Sequence, residues 1–294
     1  MKVLVTGGAG FIGLNLIERL VKEGHDVHSL DNYSTGTRNN HLPSVEYFIG
    51  DIETIYNTDE DYDLIFHLAA QSRVQPSFDN PSETFRVNVK GTEVVCEFAT
   101  EIGAKVVYAG SSSKHHNPAT SPYAMYKYLG EGVCNLYKES FGLNVEICRF
   151  YNVYGPGEPL DEKNGNVIGI WRSRINREAP IEIVGDGLQR RDFTHVSDIV
   201  DGLYRIGFSN FYSGEADFQR PSSIEAWELG TGVNYSIKEL AEMFQNKSGC
   251  NIKYIADQPG NYRLTLCNDT TTQEILGWKP KDQLLHYINN LKIK

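Results

Sequence analysis

Short, nearly continuous apolar runs alternate with longer amphipathic stretches over the first half of the chain. Such runs are typical of parallel strands that helices cover on both faces, and six of them predict strands at residues 2–5, 26–30, 45–49, 64–68, 105–109 and 144–150. The intervening stretches predict helices at residues 11–22, 83–102 and 123–141. This repeated β-α order predicts an α/β fold with a doubly wound parallel sheet.

The pattern changes after about Gly155, where prolines and glycines break the chain into short elements. We therefore expect two domains. The first covers residues 1–155, with residues 192–208 returning to it, and the second is a smaller α/β domain over residues 156–294.

One helix of the second half is marked at both ends. Ser236 and Glu239 have the spacing of a capping box, in which each side chain accepts a hydrogen bond from the other residue's backbone N–H. Gly249 follows the last apolar turn and is expected to end the helix. Upstream of this helix, residues 209–223 form the expected mobile loop.

Composition and charge narrow the function classes. The 294 residues include 28 Lys and Arg against 38 Asp and Glu, a net charge of −10, so no global field favours nucleic acid or an anionic membrane. Five cysteines, an odd number without a C-x-x-C pair, predict reduced thiols. No apolar run approaches the length of a membrane span. These features predict a cytoplasmic protein without nucleic-acid or membrane partners.

A glycine-rich segment directly follows the first predicted strand and begins the first helix. Gly7 would allow the tight turn after the strand, and Gly10 would allow a pyrophosphate to approach the backbone. Gly13 would allow the helix to pack closely on the strand. Asp31 ends the second strand 18 positions later, where a carboxylate would accept a hydrogen bond from a ribose 2′-hydroxyl. The pattern predicts a Rossmann-type site for NAD. An ordinary glycine turn is the alternative, and Arg38 leaves NADP open.

A second group of residues suggests acid–base chemistry. Tyr123 and Lys127 are four positions apart and therefore lie on one face of the predicted helix, where the ammonium would lower the pKa of the phenol. Three serines, residues 111–113, follow the fifth strand at the edge where parallel sheets bind ligands. Taken singly, each motif is usually a solvated helix face or a loop. Together they predict a tyrosine base beside a nucleotide.

With these motifs, the chain resembles an extended short-chain dehydrogenase/reductase of the NAD-dependent nucleotide-sugar epimerase/dehydratase family. The motifs that carry the resemblance extend over essentially the whole chain. They are Gly7, Gly10 and Gly13, Asp31, Asp51-Ile52, His67-Leu68-Ala69-Ala70, Asn88, the three serines, Tyr123 and Lys127, and the segments 149–156, 166–168, 185–187, 191–193 and 276–280.

The resemblance implies roles for individual residues. The implied catalytic residues are Ser113, with Ser112 as a near rival, Tyr123 and Lys127. The implied NAD-binding residues are Gly7, Gly10, Phe11, Ile12, Gly13, Asp31, Asn32, Asp51, Ile52, Leu68, Ala69, Ala70, Asn88, Ser111, Tyr123, Lys127 and Phe150. The implied residues for a nucleotide-diphosphate sugar are Gln71, Arg73, Ser113, Tyr123, Asn152, Asn166, Val167, Arg191 and Arg263. Arg190 competes with Arg191 for the diphosphate, and no metal site is expected.

The shared first step of such enzymes is oxidation of the sugar, here expected at C4, and the next step separates the branches. A 4,6-dehydratase carries an Asp-Glu pair just after the catalytic hydroxyl, but this chain has Lys114 and His115. A decarboxylase of the UDP-xylose branch carries a glutamate where His115 stands. A 4-epimerase of UDP-hexose or UDP-hexuronate type needs no further acid or base and is favoured. A ketoreductase using NAD(P)H is the alternative, together with the dehydratase.

One segment departs from the family pattern. Tyr123 follows Ser113 by only ten positions, and residues 114–118 replace a longer loop. The His115-His116 pair in this segment is expected to lie in an exposed loop, with substrate or metal contact as the alternative. The resemblance also implies a homodimer, because the counterparts of the 83–102 and 123–141 helices often form a four-helix bundle.

Overall fold

The computed structural model describes residues 1–209 and 225–293, so nearly all of the expected 209–223 loop lies outside the described residues. The strands, in chain order, are β1 Lys2–Thr6, β2 Asp26–Asp31, β3 Glu46–Ile49, β4 Leu64–His67, β5 Lys105–Ser111, β6 Val145–Phe150, β7 Asn152–Tyr154, β8 Ile181–Val184, β9 Arg190–His195, β10 Trp227–Leu229, β11 Asn234–Ser236 and β12 Ile252–Ile255. The α-helices are α1 Phe11–Lys22, α2 Val74–Asp79, α3 Pro81–Phe85, α4 Gly91–Ile102, α5 Pro122–Phe141, α6 Val167–Asn176, α7 Val196–Gly207, α8 Ile237–Ser248, α9 Thr271–Leu276 and α10 Leu284–Asn290.

The central sheet has seven strands in the order β10-β6-β5-β4-β1-β2-β3, and all its pairings are parallel. The doubly wound α/β prediction is therefore confirmed, and the six predicted strands are present within two residues of their expected ends. The apolar runs arise because both faces are covered: Val3 and Val5 pack with α1 and α7, whereas Leu4 packs towards α4 and α5. Strand β10 was not predicted, because its three residues Trp-Glu-Leu are too few to show a hydrophobic pattern.

Two predicted helices are present within one residue of their expected bounds, and one is interrupted. Helix α1 has the bounds expected, and α5 begins one residue early because the Ser121 hydroxyl accepts from the Ala124 N–H at 3.1 Å. The expected 83–102 helix instead consists of α3, a π-helical turn at Arg86–Lys90, and α4. Within the turn, the Asn88 carbonyl accepts from the Thr92 hydroxyl at 2.9 Å.

The second half builds a smaller core beside the sheet. It contains the antiparallel pair β11-β9, the parallel pairs β9-β7 and β12-β8, and the helices α6, α8 and α10 around Trp171 and Phe244. Both halves of the capping box at Ser236 and Glu239 are present, and Gly249 ends α8 at φ +68°, as predicted. None of the described helices is long and apolar enough to cross a membrane.

Candidate active site

A cavity of about 670 Å³ lies at the carboxyl ends of the central strands, where a parallel sheet binds ligands. Most residues that the sequence marked out line it, from both halves of the chain. They are Gly7, Gly10, Phe11, Ile12, Gly13, Asp31, Asn32, Asp51, Ile52, Leu68, Ala69, Ala70, Gln71, Arg73, Ser111, Ser112, Ser113, Tyr123, Lys127, Phe150, Asn152, Asn166, Val167 and Arg191. Asn88 and Arg263 do not line the cavity.

The glycine loop has the shape of a dinucleotide cradle. Gly7 has φ +73°, and a Cβ at this position would lie 2.8 Å from the Ala69 nitrogen. A Cβ at Gly13 would lie 2.6 Å from Gly8 Cα. Gly10 is the N-cap of α1 and offers no side-chain cap, so the first N–H groups of the helix can bind an anion. This open, positively polarised turn fits a pyrophosphate.

The Asp31 carboxylate faces the cavity from the end of β2. It accepts from the Ala9 N–H at 3.0 Å and the Tyr33 N–H at 2.8 Å, and burial raises its pKa. Next to it, Asn32 donates to Asp51 at 2.6 Å. The carboxylate therefore has a set orientation at the place where a ribose 2′-hydroxyl would donate to it, and its charge opposes a 2′-phosphate.

Tyr123 and Lys127 lie together on the cavity wall. The Tyr123 hydroxyl donates to Ser111 Oγ at 3.3 Å, and Lys127 Nζ donates to the Ala109 carbonyl at 2.8 Å. Burial raises the pKa of Tyr123, whereas the Ser111 hydrogen bond and the Arg73 charge lower it. Burial also lowers the pKa of Lys127 to about 8.

The serine that contacts the phenol differs from the expected one. The sequence indicated Ser113 or Ser112, yet the Tyr123 hydroxyl bonds to Ser111, which was expected only to contact NAD. Strand β5 continues through Ser111, and Ser112 and Ser113 lie in the 3-10 turn that follows while still lining the cavity. Ser113 Oγ is buried and has no hydrogen-bond partner in the described part of the chain.

Asn88 supports the cavity wall from behind. Its side chain accepts from the Gln71 N–H at 2.8 Å and donates to the Gln71 carbonyl at 2.9 Å. The residue is 1% exposed. Its amide therefore holds the main chain of a wall residue, in place of the direct cofactor contact that was expected.

Only one of the two expected diphosphate arginines lines the cavity. Arg191 lines the cavity, donates to Asn261 Oδ1 at 2.6 Å, and has no carboxylate within 4.0 Å among the described residues. Burial lowers its pKa to about 10. Arg263 is 70% exposed and pairs with Asp186 at 2.7 Å. The competing Arg190 pairs with Glu239 at 3.0 Å.

The two expected asparagines are engaged by the protein. Asn152 donates to the Asp192 carbonyl at 3.0 Å and to Thr265 Oγ1 at 3.1 Å. Asn166 caps α6 by accepting from the Gly169 N–H at 2.7 Å. Both residues line the cavity, and their amide hydrogens have acceptors within the protein.

The sequence did not reveal a buried ionic cluster behind Tyr123 and Lys127. Arg149 donates to Glu131 at 2.8 Å and to Glu228 at 3.0 Å, and all three residues are at most 4% exposed. Glu131 is four positions after Lys127, so α5 places both side chains on the same face. The four-residue spacing of Lys127 and Glu131 was the feature of the sequence that could have predicted the cluster.

Both histidines of the shortened loop after the serines contact residues from distant parts of the chain. His115 Nε2 lies 2.9 Å from Glu228 Oε1, and this hydrogen bond raises the pKa of His115. The His116 ring stacks on Tyr262 at 4.1 Å. The expectation of an exposed loop holds for His115, whose side chain is 46% exposed, and the contacts add that one histidine extends the ionic cluster while the half-buried other packs against a cavity-lining residue.

Comparison with known proteins agrees with this site. Residues 3–209 match a family model described as the NAD dependent epimerase/dehydratase family. The chain is 34% identical over 307 residues to a protein of Methanocaldococcus jannaschii named putative UDP-glucose 4-epimerase, covering 96% of this chain and 94% of that protein.

Solved structures show the same fold along the chain. The UDP-glucose 4-epimerase of Thermotoga maritima, solved with UDP-glucose, has a TM-score of 0.87 at 26% identity, covering 98% of this chain and 96% of that one. MoeE5, solved with UDP-glucose and NAD, has a TM-score of 0.84 at 30% identity, with coverages of 98% and 96%. The chain therefore belongs to the NAD-dependent epimerase/dehydratase family and uses NAD.

Proposed function

We propose that the protein is an epimerase that inverts C4 of a nucleotide-diphosphate sugar through a transient 4-keto sugar. The observation that carries this proposal is the Tyr123 hydroxyl, which faces the NAD cavity and is hydrogen-bonded to Ser111. When bound, NAD accepts a hydride from C4 and returns it. The names of the relatives support the same activity.

The residues of this chain supply the proton chemistry. As a phenolate, Tyr123 takes the C4 hydroxyl proton, and as a phenol it gives the proton back after the keto sugar has turned over. In the phenol form Ser111 Oγ accepts from the Tyr123 hydroxyl and the Ser113 N–H, which leaves the Ser111 hydrogen for the sugar oxygen. The Arg73 charge lowers the pKa of the Tyr123 phenol against the burial that raises it, and Lys127 lies one turn further along α5. Because one phenol serves both directions, no second acid–base pair is required.

The two side chains at the dehydratase positions point away from this chemistry. Lys114 pairs with Glu225 at 3.0 Å, and His115 pairs with Glu228. Neither residue lines the cavity. This arrangement supports epimerisation over elimination of water at C5 and C6.

The experiment is incubation with UDP-glucose, UDP-glucuronate and UDP-N-acetylhexosamines without added NADH. We expect a 4-epimer of at least one of these sugars, measured by chromatography, with no net change in the absorbance of reduced nicotinamide. A 4-keto-6-deoxy product would indicate a dehydratase instead. Stoichiometric consumption of NAD(P)H would indicate the ketoreductase alternative.

We also propose that the protein is a homodimer that pairs through α4 and α5. The proposal is supported by Leu129 and Leu136, which are seven positions apart on one face of α5 and are 38% and 54% exposed. An apolar helix face of this kind is typical of an interface.

We further propose a cytoplasmic location, which is supported by five free cysteines. We also propose that the two domains divide at about residue 155.

Sedimentation velocity tests the dimer. The wild type is expected at about twice the 33.1 kDa chain mass, and Leu136→Glu is expected to sediment as a monomer because it would bury an unpaired charge in the interface. Leu285→Glu is the control, since Leu285 is a similarly exposed leucine on α10. A wild-type monomer, or a dimer that Leu136→Glu leaves intact, would contradict the proposal.

A further inference from the structure

Arg73 is a cavity-lining cation with unused donors. It lies between β4 and α2, and its Nε donates to the Asn164 carbonyl at 2.8 Å. This bond fixes the plane of the guanidinium. Among residues 1–209 and 225–293, no carboxylate pairs with Arg73, and its two Nη atoms have no hydrogen-bond partner. Arg73 lines the cavity, so its unused donors belong to a residue of the cavity wall.

The acidic groups that act on Arg73 from further away are occupied elsewhere. Asp161 accepts from the Lys163 N–H at 3.0 Å and the Asn164 N–H at 2.7 Å. Glu158 accepts from Arg172 at 2.8 Å and is 4% exposed. Burial lowers the pKa of Arg73, because the guanidinium is partly removed from water and no carboxylate among the described residues pairs with it. Such a cation in a cavity is stabilised when a ligand supplies the anion.

The position of Arg73 relative to Tyr123 and Arg191 indicates which part of a ligand would carry the anion. Arg73 is the N-cap of α2, and Ser77 on this helix accepts from the Tyr123 N–H at 3.1 Å, whereas Arg191 is held by Asn261 on the second half of the chain. Under the proposed function, Tyr123 marks the reacting C4 of the sugar and Arg191 is the cation left for the diphosphate. An anion opposite Arg73 therefore belongs to the sugar ring.

We propose that Arg73 binds a carboxylate on the sugar and that the preferred substrate class is a nucleotide-diphosphate hexuronate. The free Nη edge of a guanidinium matches the two oxygens of a carboxylate, and its Nε bond to Asn164 holds that edge in place before the ligand arrives. A neutral hydroxymethyl group would leave the guanidinium unpaired. The proposal rests on the proposed function for the placement of the sugar.

Calorimetric titration of the NAD-loaded protein with UDP-glucuronate, UDP-glucose and UDP tests this assignment. We expect the wild type to bind UDP-glucuronate about 10-fold to 100-fold more tightly than UDP-glucose, the range of one charge-assisted bidentate contact. Arg73→Gln is expected to remove this preference and to leave the affinity for UDP within about 3-fold. Arg177→Gln, an exposed arginine paired with Glu162, is the matched control and should change none of the three affinities.

Two outcomes would overturn the assignment: equal affinity of the wild type for the two sugars, or an equal loss of UDP affinity in Arg73→Gln, which would place the guanidinium on the diphosphate. Turnover is measured separately on the same samples. An intact carboxylate preference without a 4-epimer would reject the epimerase function and retain the binding role of Arg73.

Discussion

Tyr123→Phe is expected to lower the rate of epimerisation by about 100-fold to 10,000-fold, the range of a lost general acid–base group. The substitution keeps the ring that packs in the cavity wall but removes the hydroxyl that bonds to Ser111 at 3.3 Å. Because only the proton-transfer step loses a partner, kcat is expected to fall, while the affinities for NAD and UDP change by less than about 3-fold. Rates from initial velocities and affinities from calorimetry separate the two effects.

The matched control is Tyr254→Phe, which removes the hydroxyl of a tyrosine that is 53% exposed on β12. It is expected to retain wild-type kcat. If Tyr123→Phe turned over sugar at the wild-type rate, the phenol would not be the base. If it lost NAD affinity as strongly as rate, the effect would be structural.

Gly13→Ala is expected to lower the free energy of unfolding by about 2–3 kcal/mol, at the upper end of overpacking effects. The added Cβ would overlap the Gly7 carbonyl oxygen and lie 2.6 Å from Gly8 Cα. Both neighbours are backbone atoms of the loop between β1 and α1, so no side-chain rotation relieves the overlap. Urea unfolding followed by circular dichroism measures the loss.

Gly10→Ala distinguishes this packing role from a binding role. A Cβ at Gly10 meets only the Gly7 carbonyl oxygen, at 3.2 Å, and otherwise enters the cavity. We expect its unfolding free energy to stay within about 1 kcal/mol of wild type, because a small shift relieves this contact. Its NAD affinity is expected to fall, since the methyl group occupies the space at the start of α1. Equal stability losses in the two variants would contradict this division.

The local pattern of the chain determined the central sheet and the cofactor site. Continuous apolar runs such as residues 64–68 predict buried parallel strands, and the positions of Gly7, Gly13 and Asp31 follow from a single β-α-β segment. These features depend on neighbours within about 30 residues of sequence, as in any βαβ dinucleotide unit. For that reason the amino-acid sequence by itself was sufficient to infer the fold, NAD and the placement of Tyr123 and Lys127 on one cavity wall.

Contacts between distant segments determined the rest. Only the tertiary structure pairs Tyr123 with Ser111, because the exact end of β5 decides which of three adjacent hydroxyls faces the phenol. Only it separates Arg191, which keeps a free cavity face, from Arg263, which Asp186 neutralises across 77 positions. Hydrogen bonds and charges depend on distances of a few ångströms, and a one-dimensional pattern does not set such distances between segments that meet only after folding.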